Sequence, residues 1–341
     1  MVFSLRQLTL AFALCGVAAT SSFASEKVRL LASLPVTYGL SEALLKGTDV
    51  SLERAAPANL PGTRQSAYFS GRGAAALSKL ASDADAVIGL RSLWPDDPLY
   101  PMARRSNIRV VEIDAARPVD GALPGIAVQP GMADGLASQP WMASHNLGRM
   151  ADVIAADLVR LAPMAKPRID TNLAALKQRL LKLSADSEKQ LANADNPSVV
   201  SLSEHFGYLI SGLNLDAIST DTRPDAEWTA ETLKQLSATL KDNDVALVLH
   251  HRQPSDALKA AIAEGGSRLL VLSTDAADPV AATLKDNDVA LVLHHRQPSD
   301  ALKAAIAEGG SRLLVLSTDA ADPVAELESN VGLVVAALTE G

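Results

Sequence analysis

The side chains in this chain best suited to chemistry near neutral pH are its histidines: His145, His205, and the pair His250 and His251. The pair recurs further on as His294 and His295. Neutral imidazole is a good donor to zinc, nickel and copper, and a carboxylate such as Asp275 can complete such a set. His250 and His251 end a short apolar run, Val245–Leu249, that reads as a strand. In parallel α/β sheets, ligands bind beyond the carboxyl ends of strands. The grouping that follows is His205, one or both of His250 and His251, and Asp275, with His145 as a further candidate. Adjacent residues of a strand point to opposite faces, so the pair shares a site only if the strand has ended. The plainer alternative is that these are surface or hinge histidines, with His145 and His205 at helix starts.

Other chemistries lack their groups. The only cysteine, Cys15, excludes thiolate metal sites and disulfides from the rest of the chain. There is no G-x-S-x-G elbow, no H-E-x-x-H pair and no phosphate-cradling glycine loop, so no enzyme activity is expected. A net charge of −8 without a basic cluster argues against a nucleic-acid partner. Asp96 and Asp97, flanked by Pro95 and Pro98, read as a turn and helix cap rather than a carboxylate pair.

The elements that must position these groups alternate. Strands are expected at Val28–Ala32, Ala86–Leu90 and Arg109–Ile113, with helices at Ser41–Lys46, Ala74–Ala81 and Asp97–Ser106 between them. Alternation of this kind implies a parallel sheet covered on both faces. Leu147, Met150, Ile154, Leu158 and Leu161 recur at steps of three and four, which predicts an amphipathic helix over 145–162, ended by Pro163 and Pro167. A second helix carries Leu173, Leu176, Leu180 and Leu183 on one face and stops before Pro197. A second α/β region follows, with strands at Ser198–Leu202, Val245–Leu249 and Leu269–Leu272. Its helices are expected at His205–Leu213, Ala226–Lys241 and Ser255–Ala263, the last capped by Ser255. The fold class is therefore α/β, two Rossmann-like lobes joined by long linker helices. The boundaries are 25–142 for the first lobe, 143–196 for the linker and 197–341 for the second.

Within the second lobe, residues 238–281 are repeated without a change as 282–325. Solenoid repeats drift at their surface positions, whereas this 44-residue unit does not. It reads as a copying event inside one lobe, not as a repeat architecture. The first 24 residues read as a secretory signal peptide: Arg6, an apolar run from Leu8 to Ala19, and Ser22-Phe23-Ala24 as a small-x-small cleavage pattern. This sends the mature chain to the periplasm of a Gram-negative cell, or out of the cell.

Thr63–Arg72 with Ala74–Leu80 after it, Gln139-Pro140-Trp141-Met142, Ser203–Leu209 and His251–Leu258, taken in that order, resemble motifs of the zinc- and manganese-binding (cluster A-I) periplasmic solute-binding proteins of metal ABC importers. Thr63–Arg72 stands where the family has a D-P-H-x-Y-E-P-x-x-R motif, followed by Ala74–Leu80 for its A-A-L-S-K-A-D helix. Gln139-Pro140-Trp141-Met142, with Asn146 after it, stands for D-P-H-x-W-L. Ser203–Leu209 stands for H-x-x-F-x-Y-F, and His251–Leu258 for E-P-Q-F-S-x-x-L. The family's four ligand positions fall on Gln65, Gln139, Ser203 and Ser273. None of these is a good zinc ligand, which directs attention to the histidines beside them. The resemblance implies a monomeric component holding Zn2+, or less readily Mn2+, between two lobes and delivering it to an inner-membrane ABC permease. Gln65, Arg72 and Gln139 would then line the cleft. It leaves open a relative that no longer binds metal and serves as an accessory or interaction module.

Overall fold

The computed structural model describes residues 27–58, 60–121, 123–129, 136–272, 291–294, 312–315 and 322–339. The expected signal peptide, Ser273 and Asp275 lie outside the described residues. Two parallel four-stranded sheets form the two lobes. In the first, β1 (Arg29–Ala32), β2 (Ser51–Arg54), β3 (Ala86–Gly89) and β4 (Val111–Asp114) lie in the order β2-β1-β3-β4. In the second, β5 (Ser198–Ser201), β6 (Asp216–Thr220), β7 (Leu247–His250) and β8 (Arg268–Val271) lie in the order β6-β5-β7-β8. Helices α1 (Pro35–Leu45), α2 (Gly62–Ser70), α3 (Ala74–Ser82) and α4 (Leu99–Ser106) belong to the first lobe. The linker is α5 (Ser144–Leu161) and α6 (Lys166–Leu191). The second lobe has α7 (Gly207–Gly212), α8 (Ala230–Asp242), α9 (Asp256–Glu264) and the final α10 (Pro323–Thr339).

Strand side chains alternate between faces, and the core divides accordingly. Leu30, Ile88, Val199, Leu247 and Leu249 point inward to one continuous cluster with Leu147, Met150, Ile154 and Leu158 of α5 and Val334 of α10. Leu31 and Val87 point to an outer cluster with Phe69, Leu77 and Leu99. Val200 and Val248 point to another, with Leu240, Leu258 and Ile262. Each large apolar side chain so buried contributes about 1.5–3 kcal/mol. Because the inner cluster runs through both lobes, the linker is a packed wall rather than a tether. Two bonds add to it: Gln129 N–H donates to Tyr208 Oη at 3.0 Å, and Gln129 Nε2 to Ser211 Oγ at 2.5 Å.

Three sequence expectations change. Pro167 starts α6 instead of stopping α5, since proline fits the first helical turn, whose N–H groups need no helical partner. Pro35 likewise opens α1, well before Ser41. Asp97 is not in α4 but just before it, where its carboxylate accepts from Leu99 N and also from Leu90 N at the end of β3. The carboxylate is 2% exposed, and burial holds its pKa above the usual range.

The second copy supplies β9 (Leu291–His294) and β10 (Arg312–Val315), a separate parallel pair. The first copy supplies β7 and β8 of the sheet.

Candidate metal centre

The site is built at the carboxyl ends of β5 and β7. After β5 the chain turns through Ser203, which is buried; its hydroxyl accepts from His205 N at 3.2 Å and caps a single 3-10 turn, Glu204–Phe206. Ser201 Oγ braces the same turn by donating to Ser203 O at 2.7 Å. The capping role occupies Ser203 and sets His205 on the turn. His205 Nδ1 lies 2.5 Å from the carbonyl of Ala137. A carbonyl only accepts, so the proton sits on Nδ1 and the lone pair on Nε2. Metal-ligating histidines are oriented by this kind of bond.

β7 ends at His250. Its Nδ1 accepts from Arg252 N at 3.0 Å, and its Nε2 faces Asp225 at 3.6 Å. His250 is 3% exposed and both nitrogens are engaged, so it closes the turn; burial lowers its pKa. His251 lies just past the strand, and this lets its ring stack on that of His250, centroids 5.0 Å apart. It also meets the His205 ring edge-on at 5.1 Å. Its Nε2 accepts from Arg252 Nε at 2.8 Å, while its buried Nδ1 has no hydrogen-bond partner. Burial first, then the Arg252 cation and the two neighbouring imidazoles, push its pKa down to about 3. His251 is thus neutral, as a metal ligand must be.

His205 forms part of the wall of a cavity of about 310 Å³ reached by both lobes. Leu34, Pro35, Val36 and Leu60–Thr63 enter from the first lobe, and Leu136, Ala137, Gln139 and Trp141 from the segment that crosses between lobes. Glu204 and Glu326 add carboxylates. The crossing segment is pinned by buried Asn146, which donates to Ala127 O and Pro140 O and accepts from Ala127 N. Gln139 sits there at φ 44°, a left-handed conformation that costs a non-glycine residue about 1–2 kcal/mol. Strain of this kind collects at ligand clamps and switch regions. Gly62 gives the wall its closeness: a Cβ there would lie 2.4 Å from Leu136 Cδ1.

The structure therefore brings His205, His250 and His251 together and puts Gln139 in the cavity wall. Gln65 is fully buried, donates to Ser33 O at 3.0 Å, leaves Oε1 without a partner, and is not among the cavity's walls. Arg72 is exposed, its guanidinium over the Tyr68 ring. His145 is exposed in the first turn of α5 and makes no ring contact with His205, His250 or His251. Among the described residues, no three His, Cys, Asp or Glu side chains form a ready metal cage. Glu204, Glu326 and Arg252 were not singled out by sequence. The acidic start of the final helix was the only signal for Glu326.

A family model described as the periplasmic zinc-uptake complex component A, ZnuA, matches residues 138–288. No curated protein matches the sequence. Among solved structures, a mutant of FpvC from Pseudomonas aeruginosa aligns with a TM-score of 0.62 at 18% identity, over 92% of this chain and 100% of that one. FpvC in complex with Ni2+ gives 0.58 at 18%, over 92% and 98%. The Zn(II)-bound ZnuA-like domain of Streptococcus pneumoniae AdcA gives 0.58 at 16%, over 92% and 100%. The chain resembles the metal-binding solute-binding proteins. At these identities the structural likeness is one of fold, two parallel-sheet lobes with helices between them. No helix of the described residues is long and apolar enough to cross a membrane.

Proposed function

We propose that this chain is a periplasmic solute-binding protein that takes up a metal ion, zinc first, between its lobes and hands it to an ABC permease. The observation that carries the reading is the His205–His251 pair. One imidazole is oriented by a carbonyl with Nε2 left for a ligand, and the other holds a buried nitrogen that nothing satisfies. Both belong to the carboxyl-end surface of the second sheet, and His205 opens on the cavity that both lobes wall.

His205 would bind through Nε2 and His251 through Nδ1, with Glu204 or Glu326 as the nearest carboxylates on the wall. Arg252 Nε–H donates to His251 Nε2, so in the metal-free form the His251 proton is on Nδ1. Binding there moves the proton to Nε2 and displaces the exposed Arg252 side chain. Entry of the ion is thus coupled to release of a surface arginine. Support for zinc comes from imidazole and carboxylate as the donors at hand and from the family model; the nickel complex of FpvC keeps nickel in view as a cargo. The continuous core through both lobes favours a small rocking motion over wide opening. Replacement of His205 by alanine tests the reading, as worked out in the Discussion.

A further inference from the structure

The second lobe is assembled from both copies of the repeat. Residues 238–272 of the first copy supply the end of α8, β7, α9 and β8. Further described residues of the lobe come from the second copy: Asp322 pairs with Arg179 of α6 and accepts from Val324 N and Ala325 N at the start of α10. In the first copy the equivalent of Asp322 is Asp278. Described parts of both copies thus pack in one lobe.

The spare strands keep the same pairing. β7 and β8 pair as Leu247 with Arg268 through His250 with Val271; β9 and β10 pair as Leu291 with Arg312 through His294 with Val315. Every partner is shifted by the repeat length of 44. Val248 packs with Leu240, Leu258 and Ile262, and the second copy repeats the sequence of β7, α9 and β8 without a change.

We infer that the two copies are interchangeable: the chain folds into two forms with the same contacts, one with β7 beside β5 and one with β9 beside β5. What differs is the length of chain between the exchanged strands and their neighbours. With β7 in place, 4 residues (243–246) join α8 to β7 and 51 residues (272–322) join β8 to α10. With β9 in place, the links are 48 residues (243–290) and 7 residues (316–322). Loop-closure entropy then favours the first form by only about two to one. The exchange leaves the sequence at the strand end, His-His, unchanged.

Substitutions in the two strands test this, because a damaged copy can be set aside. With form populations of about two to one, a change confined to β7 or β8 lowers the folding equilibrium constant by at most about threefold, and one confined to β9 or β10 by about 1.5-fold. The variants are Val248→Asp, Val292→Asp, the double variant and the milder Val248→Ala, each in the full mature chain, with urea unfolding followed by circular dichroism. The expected result is a cooperative transition for each single variant within those limits, and its loss in the double variant. Without exchange, Val248→Asp would unfold the chain as fully as the double variant, and Val248→Ala would weaken folding by about 10- to 100-fold. Either result would overturn the inference.

Discussion

His205→Ala is the sharpest perturbation of the site, because His205 lies outside the repeat and has no second copy to replace it. Two effects separate. The variant leaves the Ala137 carbonyl without its 2.5 Å partner. A lost hydrogen bond of this kind costs about 1 kcal/mol, which for a chain this size lowers the melting temperature by about 2–4 °C. The variant also removes one of the two imidazoles proposed as ligands. Structural zinc sites hold their ion with about 10–16 kcal/mol over four ligands, so one ligand is worth about 3 kcal/mol, or about a hundredfold in Kd. Competition against a chromogenic zinc chelator measures the affinity, and a thermal melt measures the fold. A loss of affinity of about a hundredfold is expected with the small thermal shift. A folded variant whose zinc affinity stays within about threefold of the parent would refute the placement of the ion at His205.

Three further outcomes follow from the geometry. Removal of residues 282–325 shortens the link before α10 from 51 to 7 residues and is expected to stabilise the chain by about 1.5–2 kcal/mol; a lower denaturation midpoint in the deletion variant would contradict this. The pKa values of His250 and His251 are depressed in the folded state, so the unfolded chain binds more protons below about pH 6.5 and stability falls on acidification. Between about pH 6.5 and 5 the slope should reach up to about 1.4 kcal/mol per pH unit for each histidine, and a flat or rising denaturation midpoint over that window would count against their burial. Arg179 bonds both Asp322 and Glu328 and ties α10 to α6 from a surface position. Arg179→Ala should cost about 1 kcal/mol, less in high salt, and a loss independent of ionic strength would point to packing instead.

Sequence patterns showed those parts of the fold that repeat a simple period. α5 was legible because Leu147, Met150, Ile154 and Leu158 recur on one face and all are buried. β3 was legible because all four residues are buried and mostly apolar. β2 and β6 were not, since they are edge strands with polar, largely uncovered side chains, Ser-Leu-Glu-Arg and Asp-Ala-Ile-Ser-Thr. α2 was also missed: its sequence, Gly-Thr-Arg-Gln-Ser-Ala-Tyr-Phe-Ser, buries only Gln65 and Phe69. At the site, the clustering of His205 with His250 and His251 followed from residue type and strand ends. The division of labour between His250 and His251 did not, because it depends on where the strand stops and on Arg252. The cavity wall was also beyond sequence reading. Leu34, Leu136 and Glu326 meet there only through the packing of both lobes around α5, and Trp141 serves that wall while also packing on the core.

Calorimetric titration of zinc into the mature, metal-stripped chain tests the central claim most directly. Saturable binding of one ion per chain is expected, and its loss in His205→Ala. Absence of binding by a folded parent chain, to zinc and to nickel alike, would contradict a metal-carrying role for these lobes.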